Sequence, residues 1–178
     1  MTDIRPLRHS DDRSGFCSGN PDLDRFLSRF AGQNQFRHHI GTTYIAAGGN
    51  TIMGFATVSA SHIEIRDLPD IHKKGLPKYP LPVLRLSRLA VDMTCQGKGV
   101  GRRLLKFIFL LAYEMAEKFG CIGIVVDAKP EATNFYRRYG FSELDVIDGN
   151  LEDQTRTVAM FLPLKAIPKP NVKENRGI

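Results

Sequence analysis

The sequence predicts an α/β fold, because short apolar segments of strand length alternate with segments of helical periodicity along its 178 residues. The clearest strand covers residues 83–91, which are rich in valine and leucine, as the residues of a buried strand are. The clearest helix follows Gly101 and ends before Gly120, a residue type that commonly stops helices. The apolar residues of this helix recur at helical spacing: Leu104, Leu105, Ile108, Leu111, Ala112 and Met115.

Upstream of that strand, the pattern predicts three strands and one helix. The strands cover residues 4–8, 43–47 and 52–59, and a glycine-rich turn joins the last two. Between the first two strands, Asn20 is predicted to cap a helix that has Pro21 at its first position. The buried stripe of this helix is formed by Leu23, Phe26, Leu27 and Phe30.

Residues 66–82 interrupt this alternation. Four prolines and a Lys-Lys pair make the segment a basic insert of loop or short helix rather than a strand. A strand, a helix and two further strands follow, at residues 121–127, 131–139, 141–147 and 157–164. Residues 1–164 are therefore predicted to form one domain, and residues 165–178, rich in proline and lysine, a loose C-terminal tail.

The charge of the chain is concentrated in one region. The formal net charge is +6, and residues 66–106 carry ten lysines and arginines against three acids. Such an excess predicts a polyanionic partner in addition to any phosphate-bearing cofactor, and solvated surface lysines are the alternative. Three cysteines without a Cys-x-x-Cys pair predict neither a disulfide framework nor a metal site, and they suit a reducing cytoplasm. The longest apolar run, at 107–112, is too short to span a bilayer, and no N-terminal signal peptide is evident.

The glycine-rich turn before the long helix carries the strongest chemical signal. The first turn of a helix presents unpaired N–H groups and a partial positive charge, so it favours phosphates. Gly97, Gly99 and Gly101 allow the backbone to approach an anion, and Arg102 adds positive charge. The spacing is that of neither a P-loop nor a Rossmann fingerprint. A pyrophosphate site is one interpretation, and a loop-to-helix junction without a ligand is the other.

Two motifs resemble those of the GNAT family of N-acetyltransferases. Gln96-x-x-Gly99-x-Gly101, after a strand that ends Leu-Ala-Val-Asp, looks like the family's motif A. The block at 132–141 contains Phe135-Tyr136 and ends Gly140-Phe141, like the helix that follows in the family. The resemblance implies a mixed, mostly antiparallel, twisted sheet of six to seven strands flanked by helices. It also implies that acetyl-CoA is the co-substrate and that no metal takes part.

The resemblance assigns roles to individual residues. Backbone groups of Leu89, Ala90 and Val91 would hold the pantetheine arm, and Asn134 would contact coenzyme A. The pyrophosphate would lie on the turn formed by Gln96, Gly97, Lys98, Gly99, Val100, Gly101 and Arg102. Tyr136 would donate a proton to the leaving thiolate. Its spacing from Ala132, Phe135 and Tyr139 also fits a purely structural core position. Lys129 stands where many relatives carry asparagine, so part of the usual contact with coenzyme A differs.

The chain is further similar to acetyltransferase toxins of the TacT/AtaT type. The likeness extends from residue 16 to 161 and rests on residues 16–27, 33–35, the basic insert and residues 86–92. It implies an aminoacyl-tRNA substrate, a ribbon-helix-helix antitoxin as partner, and a homodimer. An acetyltransferase for small amines or protein N-termini, and a non-catalytic module that binds coenzyme A or RNA, are the alternatives.

The charges on the central strand favour the tRNA interpretation. Residues 83–91 contain Arg85 and Arg88 but no carboxylate that could act as a general base. An α-amine, with a reference pKa of about 7.7–8.0, needs such a base less than lysine does, and an ester on its carboxyl lowers that pKa further. The residues predicted to bind tRNA phosphates are Arg85, Arg88, Lys73 and Lys74. Glu64, predicted on the preceding strand, could still act as a base through water.

Overall fold

The computed structural model describes residues 3–144 and 157–169, and their strands form one open sheet. Seven strands lie in the order β1-β2-β3-β4-β5-β7-β6, and every neighbouring pair is antiparallel except β4 and β5. The strands are β1 Asp3–Pro6, β2 Thr42–Gly48, β3 Thr51–Ile63, β4 Leu81–Val91, β5 Gly123–Ala128, β6 Ser142–Glu143 and β7 Val158–Pro163. The predicted mixed, mostly antiparallel sheet of six to seven strands is confirmed.

Helices cover both faces of this sheet. They are α1 Pro21–Arg25, α2 Asp70–Lys73, α3 Val100–Lys118 and α4 Thr133–Arg137. Helix α1 continues into two wider, π-helical segments, Phe26–Phe30 and Gln33–His38. The predicted cap is confirmed, since the Asn20 side chain accepts hydrogen bonds from the N–H groups of Asp22 and Leu23 at 3.1 and 3.2 Å.

The core consists of layers on the two faces of the sheet. On one face, α3 buries Leu104, Leu105, Ile108 and Ala112 completely. On the other face, Phe26 and Leu27 of the α1 region pack with Phe55 of β3. Of the predicted stripes, Leu111 and Met115 remain only partly buried, and Phe30 is exposed.

Several element boundaries differ from the predictions. Strand β3 extends to Ile63 and β4 begins at Leu81, inside the predicted insert, because both residues are buried and pair with each other. Glu64 therefore follows β3 instead of lying on it. The predicted loose tail begins too early, since Ile167 is buried and its carbonyl accepts a hydrogen bond from the Tyr113 hydroxyl at 2.6 Å. Residues 145–156 and 170–178, including part of the predicted strand at 141–147, lie outside the described residues.

Strands β4 and β5 separate partway along their length. They pair in parallel only at Leu84↔Ile124, Arg85↔Val125 and Leu86↔Val126. Beyond Leu86, β4 continues to Val91 and, among the described strands, pairs with β3 alone. This separation opens the sheet next to the N-terminus of α3. Within the described residues, no helix is both long enough and apolar enough to cross a membrane.

Candidate active site

The separation of β4 and β5 leaves one edge of β4 without a strand partner. Residues 88–91 pair with β3 on one side, and no described strand pairs with them on the other. Backbone groups on such an edge can bind an extended ligand as an added strand would. Leu89, Ala90 and Val91, which the resemblance assigns to the pantetheine arm, lie on this edge.

A β-bulge at Ser87 marks the point where the strands separate. Leu86 pairs with Val58 and Arg88 with Thr57, so Ser87 is an extra residue in β4. In a regular strand, side chains three residues apart point to opposite faces. The bulge reverses this alternation, and both Arg85 and Arg88 line the same cleft.

The glycine turn before α3 has the geometry of an anion site. Gly97 and Gly99 adopt φ of +74° and +79°, in the left-handed region that favours glycine. A Cβ atom at either position would meet nothing within 4 Å, so the backbone is open to a ligand. The N–H groups of Gly99, Val100, Gly101 and Arg102 have no acceptor among the described residues. Unpaired donors at the start of a 19-residue helix fit a pyrophosphate.

Gln96 shapes this turn through its side chain. The amide donates to the carbonyl oxygens of Ser18 at 3.0 Å and Val91 at 3.1 Å. Both side-chain N–H bonds therefore go to the protein, and contact with an anion is left to the Gln96 backbone. Lys98 and Arg102 are exposed beside the turn.

Asp92 fixes the loop at residues 16–20 to the end of β4. Its carboxylate accepts hydrogen bonds from the N–H of Cys17 at 3.0 Å, the N–H of Thr94 at 2.9 Å and the Thr94 hydroxyl at 2.6 Å. These hydrogen bonds, that of the Thr94 side chain above all, lower the pKa of Asp92. The charged form of this buried carboxylate is thus the form that holds the loop beside the glycine turn.

We expect Asp92→Asn to lower the thermal unfolding midpoint at pH 7, because an amide cannot replace a carboxylate that accepts three hydrogen bonds. The folded-state pKa is lowered, so the stabilisation is complete at neutral pH and is lost as the pH falls through that value. The difference in midpoint between variant and wild type should therefore narrow below about pH 3.9, the reference pKa of aspartate. A constant difference from pH 7 to pH 3 would contradict this role.

Tyr136 belongs both to the core and to the cleft. Its side chain is 4% exposed and packs edge-on against Phe135 and Phe141, with ring centroids 5.2 and 5.4 Å apart. It also lines the cleft, and its hydroxyl makes no hydrogen bond to a described residue. Burial raises the pKa of the Tyr136 phenol, so the group keeps its proton at neutral pH. Asn134 is exposed on the same short helix, and its side-chain oxygen accepts from Arg137 at 3.0 Å.

The cleft has a volume of about 940 Å³ and extends from the α1 region to β5. In it, Arg85 donates to one oxygen of Asp127 from Nε at 2.9 Å and from Nη2 at 2.7 Å. The Arg88 guanidinium lies 3.8 Å from the centre of the Phe26 ring. Burial lowers the pKa of Arg88, and the nearby Asp127 opposes that shift.

Asp127 is a residue that sequence reasoning missed. It pairs with Arg85 because Arg85 lies opposite Val125 in the register, which places Asp127 two residues further along the same face of β5. Nothing in the sequence gives this register. Lys129 and Glu64 also line the cleft.

Lys73 and Lys74 do not line this cleft. Lys73 forms an ion pair with Asp70 at 2.8 Å. Lys74 instead lines a separate groove with Tyr113 and Phe161. Their predicted contact with tRNA phosphates therefore stays a prediction. In the part of the chain that the structure describes, no three His, Cys, Asp or Glu side chains are arranged to hold a metal ion.

Comparison with known proteins places this geometry in context. The profile of the acetyltransferase (GNAT) domain matches residues 39–143. A tRNA-acetylating toxin of Mycobacterium tuberculosis is 31% identical over 138 residues, which cover 77% of this chain and 82% of the toxin.

Solved structures of toxins share the fold along nearly the whole chain. AtaT complexed with acetyl-methionyl-tRNA is 26% identical, with a TM-score of 0.81 over 93% of this chain and 96% of AtaT. A KacT mutant in which phenylalanine replaces a tyrosine is 27% identical, with a TM-score of 0.80 over 93% and 96%. A mutant AtaT bound to the C-terminus of the antitoxin AtaR and to acetyl-CoA is 25% identical, with a TM-score of 0.74 over 93% and 95%.

Proposed function

The chain belongs to the GNAT family of acetyltransferases. We propose that it acetylates the α-amine of aminoacyl-tRNA and so blocks translation. The observation that carries the proposal is the cleft. A buried, protonated Tyr136 and two arginines of β4 line it together with Leu89 of the free strand edge, and Gly101 of the glycine turn lies against Leu89 and Phe135. The likeness to the tRNA-acetylating toxin and to AtaT with acetylated tRNA supports the same acceptor.

The residues at the point where β4 and β5 separate suit acetyl-CoA. The free edge of β4 at Leu89, Ala90 and Val91 would hold the pantetheine arm, and one N–H there would polarise the thioester carbonyl. The unpaired N–H groups from Gly99 to Arg102 would bind the pyrophosphate, and the exposed Lys98 would add charge. Asn134 is free to contact the cofactor if it releases Arg137.

Transfer needs one proton donor and one neutral amine. The amine nitrogen attacks the thioester carbon, the C–N bond forms, and the C–S bond breaks with its electron pair on sulfur. Tyr136 gives its proton to that sulfur, and the nitrogen loses one to water. Since Tyr136 is protonated and makes no hydrogen bond to a described residue, its O–H is available for this step. Glu64 lines the cleft and could relay the amine proton through water.

The acceptor side of the cleft suits an ester of a nucleic acid. Arg88 is held over Phe26, and Arg85 is held by Asp127, so both guanidinium groups are positioned before a ligand binds. Arg88, which forms no ion pair among the described residues, would attract a phosphate at the tRNA 3′ end. An uncharged α-amine bound beside these guanidinium groups is ready to attack without a dedicated carboxylate.

Partners follow from the same relatives. AtaT bound to the C-terminus of the antitoxin AtaR supports an antitoxin partner for this chain, of the ribbon-helix-helix type that the resemblance implies. We further propose that the protein is a homodimer and that it acts in the cytoplasm, where charged tRNA is found.

Incubation with radiolabelled acetyl-CoA and bulk charged tRNA tests the acceptor. We expect label in the tRNA fraction, released by base hydrolysis of the aminoacyl ester, and none with deacylated tRNA. The matched control is Tyr136→Phe, which should leave the tRNA fraction nearly unlabelled. Label found on small amines or peptides alone would overturn the tRNA proposal and favour the alternative acetyltransferase.

A further inference from the structure

A second groove, outside the cleft, carries an unusual density of arginine. It has a volume of about 510 Å³ and is lined by His9, Arg13, Ser28, Arg29, Gly32, Gln33, Phe36 and Arg37. Among the described residues, Arg13, Arg29 and Arg37 form no ion pair. Three guanidinium groups without an ion-pair partner, brought together on one groove, have the chemistry to bind an anion with several charges.

Among the described residues, none of the acids nearby in sequence forms an ion pair with an arginine of this groove. Asp11 pairs with Arg5, and Asp12 accepts from Ser14. Along α1, Asp22 pairs with Arg25, and Asp24 accepts from Ser18. Residues 11–37 carry four aspartates and four arginines, but three of these arginines and none of the aspartates line the groove.

The groove and the cleft share one helix. Leu23, Phe26 and Phe30 face the cleft, whereas Arg29, Gly32 and Arg37 face the groove. The π-helical segments Phe26–Phe30 and Gln33–His38 widen this helix, a feature often found at functional sites. A chain-like ligand that leaves the cleft across this helix would meet the arginines next.

Gly32 allows Arg13 to take part in the groove. A Cβ at Gly32 would lie 2.5 Å from Nη1 of Arg13, so the guanidinium rests directly against the helix backbone. Beside it, the rings of His9 and Phe36 stack with centroids 3.7 Å apart. The groove thus combines guanidinium groups, which can bind phosphates, with the stacked rings of His9 and Phe36, against which a base or ribose can pack.

We infer that this arginine groove binds the sugar–phosphate backbone of the RNA whose aminoacylated end enters the cleft. The inference rests on the proposed function and adds where the body of the RNA is held. The groove is a binding surface and takes no part in the chemical step, so it sets the affinity for tRNA while Tyr136 sets the rate of transfer.

The test measures binding of uncharged bulk tRNA to the full chain by fluorescence anisotropy across a salt series. We expect Arg29→Glu and Arg37→Glu each to weaken binding by about tenfold. The slope of log affinity against log salt should flatten by about 0.7–0.9 for each phosphate that the variant no longer neutralises. Gly32→Ala should weaken binding by several fold without changing the net charge, because the added methyl displaces only the flexible end of Arg13. The matched control is Lys118→Glu, an exposed charge reversal at the far end of α3.

Affinity for acetyl-CoA should stay unchanged in all four variants, which also shows that they fold. With charged tRNA, the groove variants should raise KM and leave kcat alone. Groove variants that bind tRNA with the affinity and salt slope of Lys118→Glu would overturn the inference. A different outcome would contradict the proposed function alone: the wild-type chain binds tRNA through the groove but transfers no labelled acetyl group to charged tRNA.

Discussion

Replacing Tyr136 by phenylalanine is expected to lower acetyl transfer by about 10²–10⁴-fold, the usual contribution of a positioned general acid. The change removes one hydroxyl that makes no hydrogen bond to a described residue and retains the ring that packs against Phe135 and Phe141. Folding and acetyl-CoA affinity should therefore survive. Single-turnover transfer, measured with enzyme in excess, isolates the chemical step from product release.

The pH dependence of the same reaction gives an independent check. Burial raises the Tyr136 pKa above its ordinary value of about 10, so the acid stays protonated over the whole neutral range. Transfer should rise with pH as the acceptor α-amine loses its proton and then level off, and it is followed only to about pH 8.5 because base hydrolyses the aminoacyl ester. A Tyr136→Phe variant within about threefold of wild type, or a decline in the single-turnover rate between about pH 7 and 8, would remove Tyr136 from this role.

Helical spacing alone could not decide whether Tyr136 is a core residue or an acid. Ala132, Phe135 and Tyr139 at helical spacing indicate a buried stripe, and the structure buries Tyr136 within it. Family motifs indicate catalysis, and the structure also places Tyr136 on the cleft. The two interpretations are compatible because the buried stripe ends where β4 and β5 separate. There the Tyr136 ring packs in the core on one side and borders the cleft on the other.

Local patterns predicted the parts of the site that local structure builds. The N-cap at Asn20, the glycine turn and helix α3 each depend on residues close in sequence, and each is confirmed. The pairing of Arg85 with Asp127 depends on the register between β4 and β5, which no local pattern encodes. No local pattern predicts the bulge at Ser87 either, although this bulge turns Arg85 and Arg88 towards the same cleft.

The distribution of charged residues along the sequence likewise could not show where those charges lie in the fold. The excess of lysine and arginine at residues 66–106 is real, but the fold distributes it, with Lys74 on one groove and Arg88 in the cleft. The arginine groove escaped detection because residues 11–37 carry equal numbers of aspartates and arginines, whereas the fold places only arginines on the groove. Sequence counts report the sum of the charges, whereas a polyanion responds to their placement.

Gly99→Asp is expected to weaken acetyl-CoA binding by about 3 kcal/mol, or roughly a hundredfold, because its carboxylate would face the pyrophosphate at a partly solvated helix start. The space is available, since a Cβ on Gly99 meets nothing within 4 Å. Gly99→Asn is the matched control. It has the same shape without the charge, and asparagine and aspartate both tolerate the left-handed backbone that Gly99 adopts at φ +79°.

Isothermal titration calorimetry with acetyl-CoA separates charge from strain. The drop in affinity for Gly99→Asn is the cost of a side chain in that conformation, and the further drop for Gly99→Asp is electrostatic. This further drop should shrink as salt is raised from about 50 to about 500 mM, because the turn is exposed and charges there are screened. Equal affinities for the two variants at low salt would mean that the pyrophosphate lies elsewhere, and the unpaired N–H groups from Gly99 to Arg102 would then need another ligand.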